Sequence, residues 1–83
     1  MISPHVNSIL SKIINSQKIN CILDDNFEEY NLNVSVVNLS PETGTDIVLD
    51  LSNNQLITAN DLEFASFKDE NTLILGHYIF TLI

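Results

Sequence analysis

The spacing of apolar residues changes period at Ile19, and that change limits what the chain can fold into. Before it, Val6, Ile9, Leu10, Ile13 and Ile14 recur at helical spacing and line one face with apolar side chains. Ser3 followed by Pro4 supplies a helix start, the serine capping a free amide and the proline already set at helical φ. The spacing predicts a helix over about residues 4–17, with Lys12 and Lys18 in or beyond its second half, where positive charge complements the helix dipole.

From Ile19 onward the period is two. Ile19, Cys21 and Leu23 alternate with Asn20, Ile22 and Asp24, and Tyr30, Leu32, Val34 and Val36 alternate with Asn31, Asn33 and Ser35. The alternation loses phase at Val36 and Val37 and continues on Leu39, the mark of a bulge or of the end of a buried face. Turn residues at 40–44 precede a third run, in which Ile47, Leu49 and Leu51 alternate with Asp46, Val48 and Asp50. Ser52-Asn53-Asn54-Gln55 makes another turn. Residues 56–67 are ambiguous: Thr58 with Asp61 resembles a helix start, Leu62, Phe64 and Phe67 suit either period, and the reading leans to strand. The last run, TLILGHYIFTLI, reads as two strands joined by Gly76-His77, and a glycine first in a two-residue loop predicts a type II′ hairpin.

These elements predict an α+β fold in one small domain, residues 1–83. One N-terminal amphipathic helix packs on an antiparallel meander of about five or six strands. A chain of 83 residues has room for a single modest core, and 45% hydrophobic content is enough to build it.

Charge is uneven along the chain. Residues 1–18 hold two lysines and no acid, whereas residues 19–83 hold eleven acids and Lys68, so +2 faces 1 − 11 = −10 and the net is −8. Such a balance repels phosphates and argues against direct nucleic-acid binding, while it attracts and steers a basic protein surface. Three lysines and no arginine leave no basic patch for anionic lipid, and no apolar run approaches the ~20 residues that span a bilayer, so no membrane attachment is expected. A lone cysteine and an N-terminus without a signal-like stretch lead to the expectation of a cytoplasmic, intracellular protein. Eleven Asn, eleven Ile and no Arg form a bias that AT-rich coding produces, as in many phages and low-GC bacteria.

Catalytic and metal chemistry find little material. DDNFEEYNLNVS, from Asp24, opens like a calcium loop, but Glu29 stands where the sharp turn needs glycine and Ser35 where a bidentate glutamate is required. His5, Cys21 and His77 are scattered, without the close ligand pair that begins a zinc site. Neither Gly44 nor Gly76 belongs to a phosphate loop, and no nucleophile elbow occurs. The expectation is a protein that is not an enzyme and takes no cofactor and no metal.

Two surfaces remain as candidates. Asp24, Asp25, Glu28 and Glu29 form one acidic stretch, with Asp61, Glu63, Asp69 and Glu70 as a second patch, and both suit a protein partner with a basic surface. The C-terminal hairpin is apolar on both faces. Ile74, Tyr78, Ile79, Phe80 and Ile83 are therefore candidate contacts of an oligomer, such as a homodimer, unless the sheet curls over its own second face. In size and acidity the chain resembles the small anti-CRISPR proteins, a likeness of general character that implies an inhibitor covering a nucleic-acid-binding groove. The alternatives are a small assembly subunit that associates through the apolar hairpin, or an immunity protein or antitoxin.

Overall fold

Helix α1 spans Pro4–Asn15 in the computed structural model, which describes residues 2–24, 29–37 and 47–83, and of Glu29, Tyr30 and Ile47 the backbone alone. Ser3 caps it as expected, its hydroxyl accepting from the Val6 amide at 3.2 Å, with Pro4 in the first turn. Val6, Ile9, Leu10 and Ile13 are buried, while Ile14, expected on the same face, lies at the margin and is exposed. The helix stops two residues short of the expected end because Ser16 turns extended and its hydroxyl donates to the Lys12 carbonyl at 2.7 Å, satisfying one of the last acceptors. The amides of Gln17 and Lys18 then both donate to the Ile83 carbonyl, which ties the helix exit to the other end of the chain.

Eight strands follow among the described residues: β1 Ile19–Asp24, β2 Glu29–Leu32, β3 Val34–Val36, β4 Ile47–Leu51, β5 Leu56–Thr58, β6 Ser66–Asp69, β7 Thr72–Leu75 and β8 Tyr78–Leu82. All pairings among the described residues are antiparallel, and with helix α1 they give the α+β architecture that the period change predicts. They divide between a five-stranded sheet, order β2-β1-β8-β7-β6, and a three-stranded sheet, order β3-β4-β5. The run expected as one strand over 30–36 changes sheet at Asn33. The Asn33 amide donates to the Ser52 hydroxyl at 3.2 Å, and the Ser52 amide donates to the Asn33 carbonyl at 3.1 Å. The stretch 56–67 is two short strands separated by a 3-10 helix, Asp61–Phe64, rather than one strand.

The Gly76-His77 turn is as predicted. Leu75 pairs with Tyr78 across it, Gly76 has φ 59°, and His77 is not among the residues at positive φ, the pattern of a type II′ turn.

The ladder between the first strand and the last closes the larger sheet. It runs from Ile19 opposite Leu82, through Cys21 opposite Phe80, to Leu23 opposite Tyr78. Alternation then puts Cys21, Leu73, Phe80 and Leu82 on one face, all buried, where they join the apolar face of α1 and Leu49, Leu51 and Ile57 of the smaller sheet in one core. Phe80 is 0% exposed and Tyr78 packs against the core with its ring 6.3 Å from that of Phe80, so Phe80 is removed from the candidate oligomer contacts by burial. Val48, expected to face outward, is 1% exposed, because the β4–β5 register shifts between Ile47 and Leu49 and such a bulge lets neighbouring residues both turn inward.

The opposite face carries a cross-strand row of Ile22, Ile79 and Ile74, each half-buried and each one residue out of phase with the core set. Ile83, beyond the end of β8, is 60% exposed.

Phe80→Ala removes the largest fully buried side chain and should cost about 3–5 kcal/mol in urea unfolding, a large share of the ~5–15 kcal/mol typical of a small domain. Ile79→Ala, one residue away on the other face, should cost no more than about 1 kcal/mol.

Candidate functional site

Strand register decides where the acidic residues lie. Asp24 pairs with Glu29 at the end of the β1–β2 ladder, and the Asp24 amide donates to the His77 carbonyl at 3.0 Å, so both stand at the end of the sheet marked by the Gly76-His77 turn. Asp25 and Glu28, and with them most of the comparison to a calcium loop, lie outside the described residues.

The 3-10 helix belongs to the same end. Thr58 and Asp61 open it with a reciprocal box: the Asp61 amide donates to Thr58 Oγ1 at 3.3 Å, and Asp61 Oδ2 accepts from the Thr58 amide at 3.0 Å and the Thr58 hydroxyl at 3.2 Å. Asp61 is therefore a structural carboxylate as well as an acidic one. The box sets the phase of the helix, which buries Leu62 and leaves Glu63 and Phe64 facing solvent, the phenyl ring 84% exposed. His5 holds the segment to the start of α1, its Nε2 donating to the Ala65 carbonyl at 2.6 Å, the direction required by an acceptor with no hydrogen of its own.

Between this helix, β5 and the tip of the β7–β8 hairpin lies a groove of about 310 Å³, lined by Gln55, Ile57, Asp61, Phe64, Leu75, Gly76, His77 and Tyr78. The Tyr78 hydroxyl accepts from Asn53 Nδ2 at 3.4 Å, and Asn53 Oδ1 accepts from the Gln55 amide at 3.1 Å, so the β4–β5 turn braces one wall. Phe64, Leu75 and His77 were not among the site residues expected from sequence. The signal that finds Phe64 is the Thr58–Asp61 box, which fixes helical phase and hence the outward ring.

Asp69 and Glu70 stand elsewhere. Asp69 pairs with Thr72, which pairs with Thr81, and Thr81 pairs with Asn20, a row near the Ile19–Leu82 end. The expected second patch is thus split, with Asp61 and Glu63 at one end of the sheet and Asp69 and Glu70 at the other. The Asp69 carboxyl is held below its ordinary range, chiefly by the Asn71 amide, which donates to its Oδ1 at 2.9 Å, and by a hydrogen bond from Thr72. The lysines also avoid the groove end: Lys12 is in the last turn of α1, Lys18 bonds to Ile83, and Lys68 lies between the Phe67 and Asp69 rows.

Other chemistry is limited by placement. Cys21 is 0% exposed in the core, and burial pushes its thiol up to about 11, with a hydrogen bond from the Ile79 backbone opposing the shift, so it is protonated at neutral pH. It is not paired with His77, which sits in the turn beyond the end of the β1–β8 ladder. A second cavity, about 330 Å³, is lined by residues 16–20 and 32–34 with Val36, and Lys18 is its one ionisable residue. Among the described residues no three His, Cys, Asp or Glu side chains are grouped to hold a metal ion, and no helix is long and apolar enough to cross a membrane.

No protein family, no curated protein sequence and no solved structure matches the chain.

The Cys21 placement predicts that a thiol reagent at pH 8 labels the native protein negligibly and the urea-unfolded protein fully. Because the folded-state value lies above the unfolded one, the stabilisation from the neutral thiol is complete below pH 9 and is lost as pH rises toward about 11. Comparison of the pH profile with that of Cys21→Ala isolates this part from tyrosine and lysine titration.

Proposed function

We propose that the chain is a non-enzymatic binding protein whose acidic end covers a basic, nucleic-acid-binding surface of a target protein, an inhibitor of the type represented by phage anti-defence and anti-CRISPR proteins. The observation that supports it is charge segregation. Asp24, Glu29, Asp61 and Glu63 share the end of the sheet that holds the groove, while Lys12, Lys18 and Lys68 lie away from it. Within a chain of net charge −8, such an arrangement gives that end carboxylates without lysines and steers a basic partner to it. An immunity protein or antitoxin facing a basic toxin would use the same surface.

A second reading, an assembly subunit, is favoured by the Ile22–Ile79–Ile74 row, which replaces the full hairpin as the contact surface, because Phe80 and Tyr78 face the core. Under that reading sedimentation shows a dimer that Ile79→Lys converts to monomer.

The charge-led reading is tested by affinity capture from a bacterial lysate at about 50 mM and about 500 mM salt, across which screening shortens from roughly 14 to 4 Å. The expected partner is a basic protein that is released at high salt. It is lost when Asp24, Asp25, Glu28 and Glu29 are replaced by lysine, and retained when Asp69 and Glu70 are. A partner that survives both high salt and the first replacement overturns it.

A further inference from the structure

We propose that the groove between the 3-10 helix and the Gly76-His77 turn receives an arginine side chain of the partner, an inference that rests on the charge-led reading and names what its surface recognises. The walls carry three kinds of group that a guanidinium on an apolar stem uses together. Ile57 and Leu75 offer apolar surface for the methylenes, Phe64 and Tyr78 offer aromatic rings, and Asp61 offers a carboxylate. Both bonds that Asp61 accepts from Thr58 fall on Oδ2, and Oδ1 is the acceptor left for a guanidinium N–H.

Size and charge narrow the occupant. A groove of about 310 Å³ stands at the lower limit of ligand sites, roughly 300 Å³, which suits one inserted side chain. An aromatic ring 84% exposed offers its face to a partner, and it gains most from a weakly hydrated planar cation. Lysine, a compact and strongly hydrated charge, gains less from the same rings. A second copy of this chain has no arginine to insert and brings a charge of −8 toward a partner of the same sign.

The test is a titration of the whole isotope-labelled protein with a short glycine-arginine peptide and its glycine-lysine counterpart, at about 50 mM salt, read by backbone amide NMR shifts. The expected result is shifts at Phe64, Leu75, Gly76 and Tyr78, with the lysine peptide weaker by at least about threefold and Phe64→Ala weakening the arginine peptide about tenfold. Because the Phe64 ring is exposed, that variant keeps the fold, which its unshifted core amides verify. Shifts spread evenly to Asp69 and Glu70 and indifferent to Phe64→Ala overturn the arginine groove while leaving charge-led binding standing. Absence of any shift with either peptide overturns both. Shifts at the groove amides that follow protein concentration without peptide assign the groove to a second copy and overturn it as well.

Discussion

The pairing of β1 with β8 is the interaction on which the rest of the molecule depends. Without it the larger sheet falls into a two-stranded piece and a three-stranded piece, and an isolated two-stranded hairpin is marginal in water. With it, Cys21 and Phe80 lie opposite each other, and the inner face becomes broad enough to bury Val6, Ile9, Leu10 and Ile13 of the helix. The same ladder fixes the helix exit, since the Ile83 carbonyl takes the amides of Gln17 and Lys18 and the Ile83 amide donates to the Lys18 carbonyl. It also places Asp24 beside His77, so the position of the acidic end follows from the register of the core.

Much of this fold is legible in the sequence. Helix α1 announces itself through its cap and its apolar spacing, most strands through alternation, and the hairpin turn through Gly76. What stays hidden has a common physical source. Alternation reports which side of a strand is apolar and is silent about which strand lies beside it. The chain therefore changes sheets at Asn33 without losing phase, with Leu32 and Val34 still on one side. Val48 is misread because a bulge in the β4–β5 pairing, invisible locally, turns it inward. In the last hairpin both alternating sets are apolar, and only the pairing with β1 reveals that Phe80 faces the helix while Ile79 faces away.

The candidate surface is legible in kind and illegible in layout. Composition shows the excess of carboxylates, but Asp61 and Asp69 are near neighbours in sequence and belong to opposite ends of the sheet because β6 runs its length between them. Phe64 escapes notice for the reverse reason. Its exposure depends on a single turn of 3-10 helix, too short to display a period, which the Thr58–Asp61 bonds open and the His5–Ala65 bond holds in place. Under the proposed reading these two details work together, the register gathering charge and the short helix setting an aromatic ring beside it.

The tight turn at Gly76 bears on the order in which the chain folds. Hairpins closed by two residues form locally, on the order of 1–10 μs, so β7 and β8 can assemble before any distant segment arrives. Leu23 must then find Tyr78 from near the opposite end of the chain, and the entropy of closing so long a loop has to be met before those contacts reward it. A β7–β8 hairpin alone is marginal, so it becomes lasting structure only as its neighbours β1 and β6 pair with it.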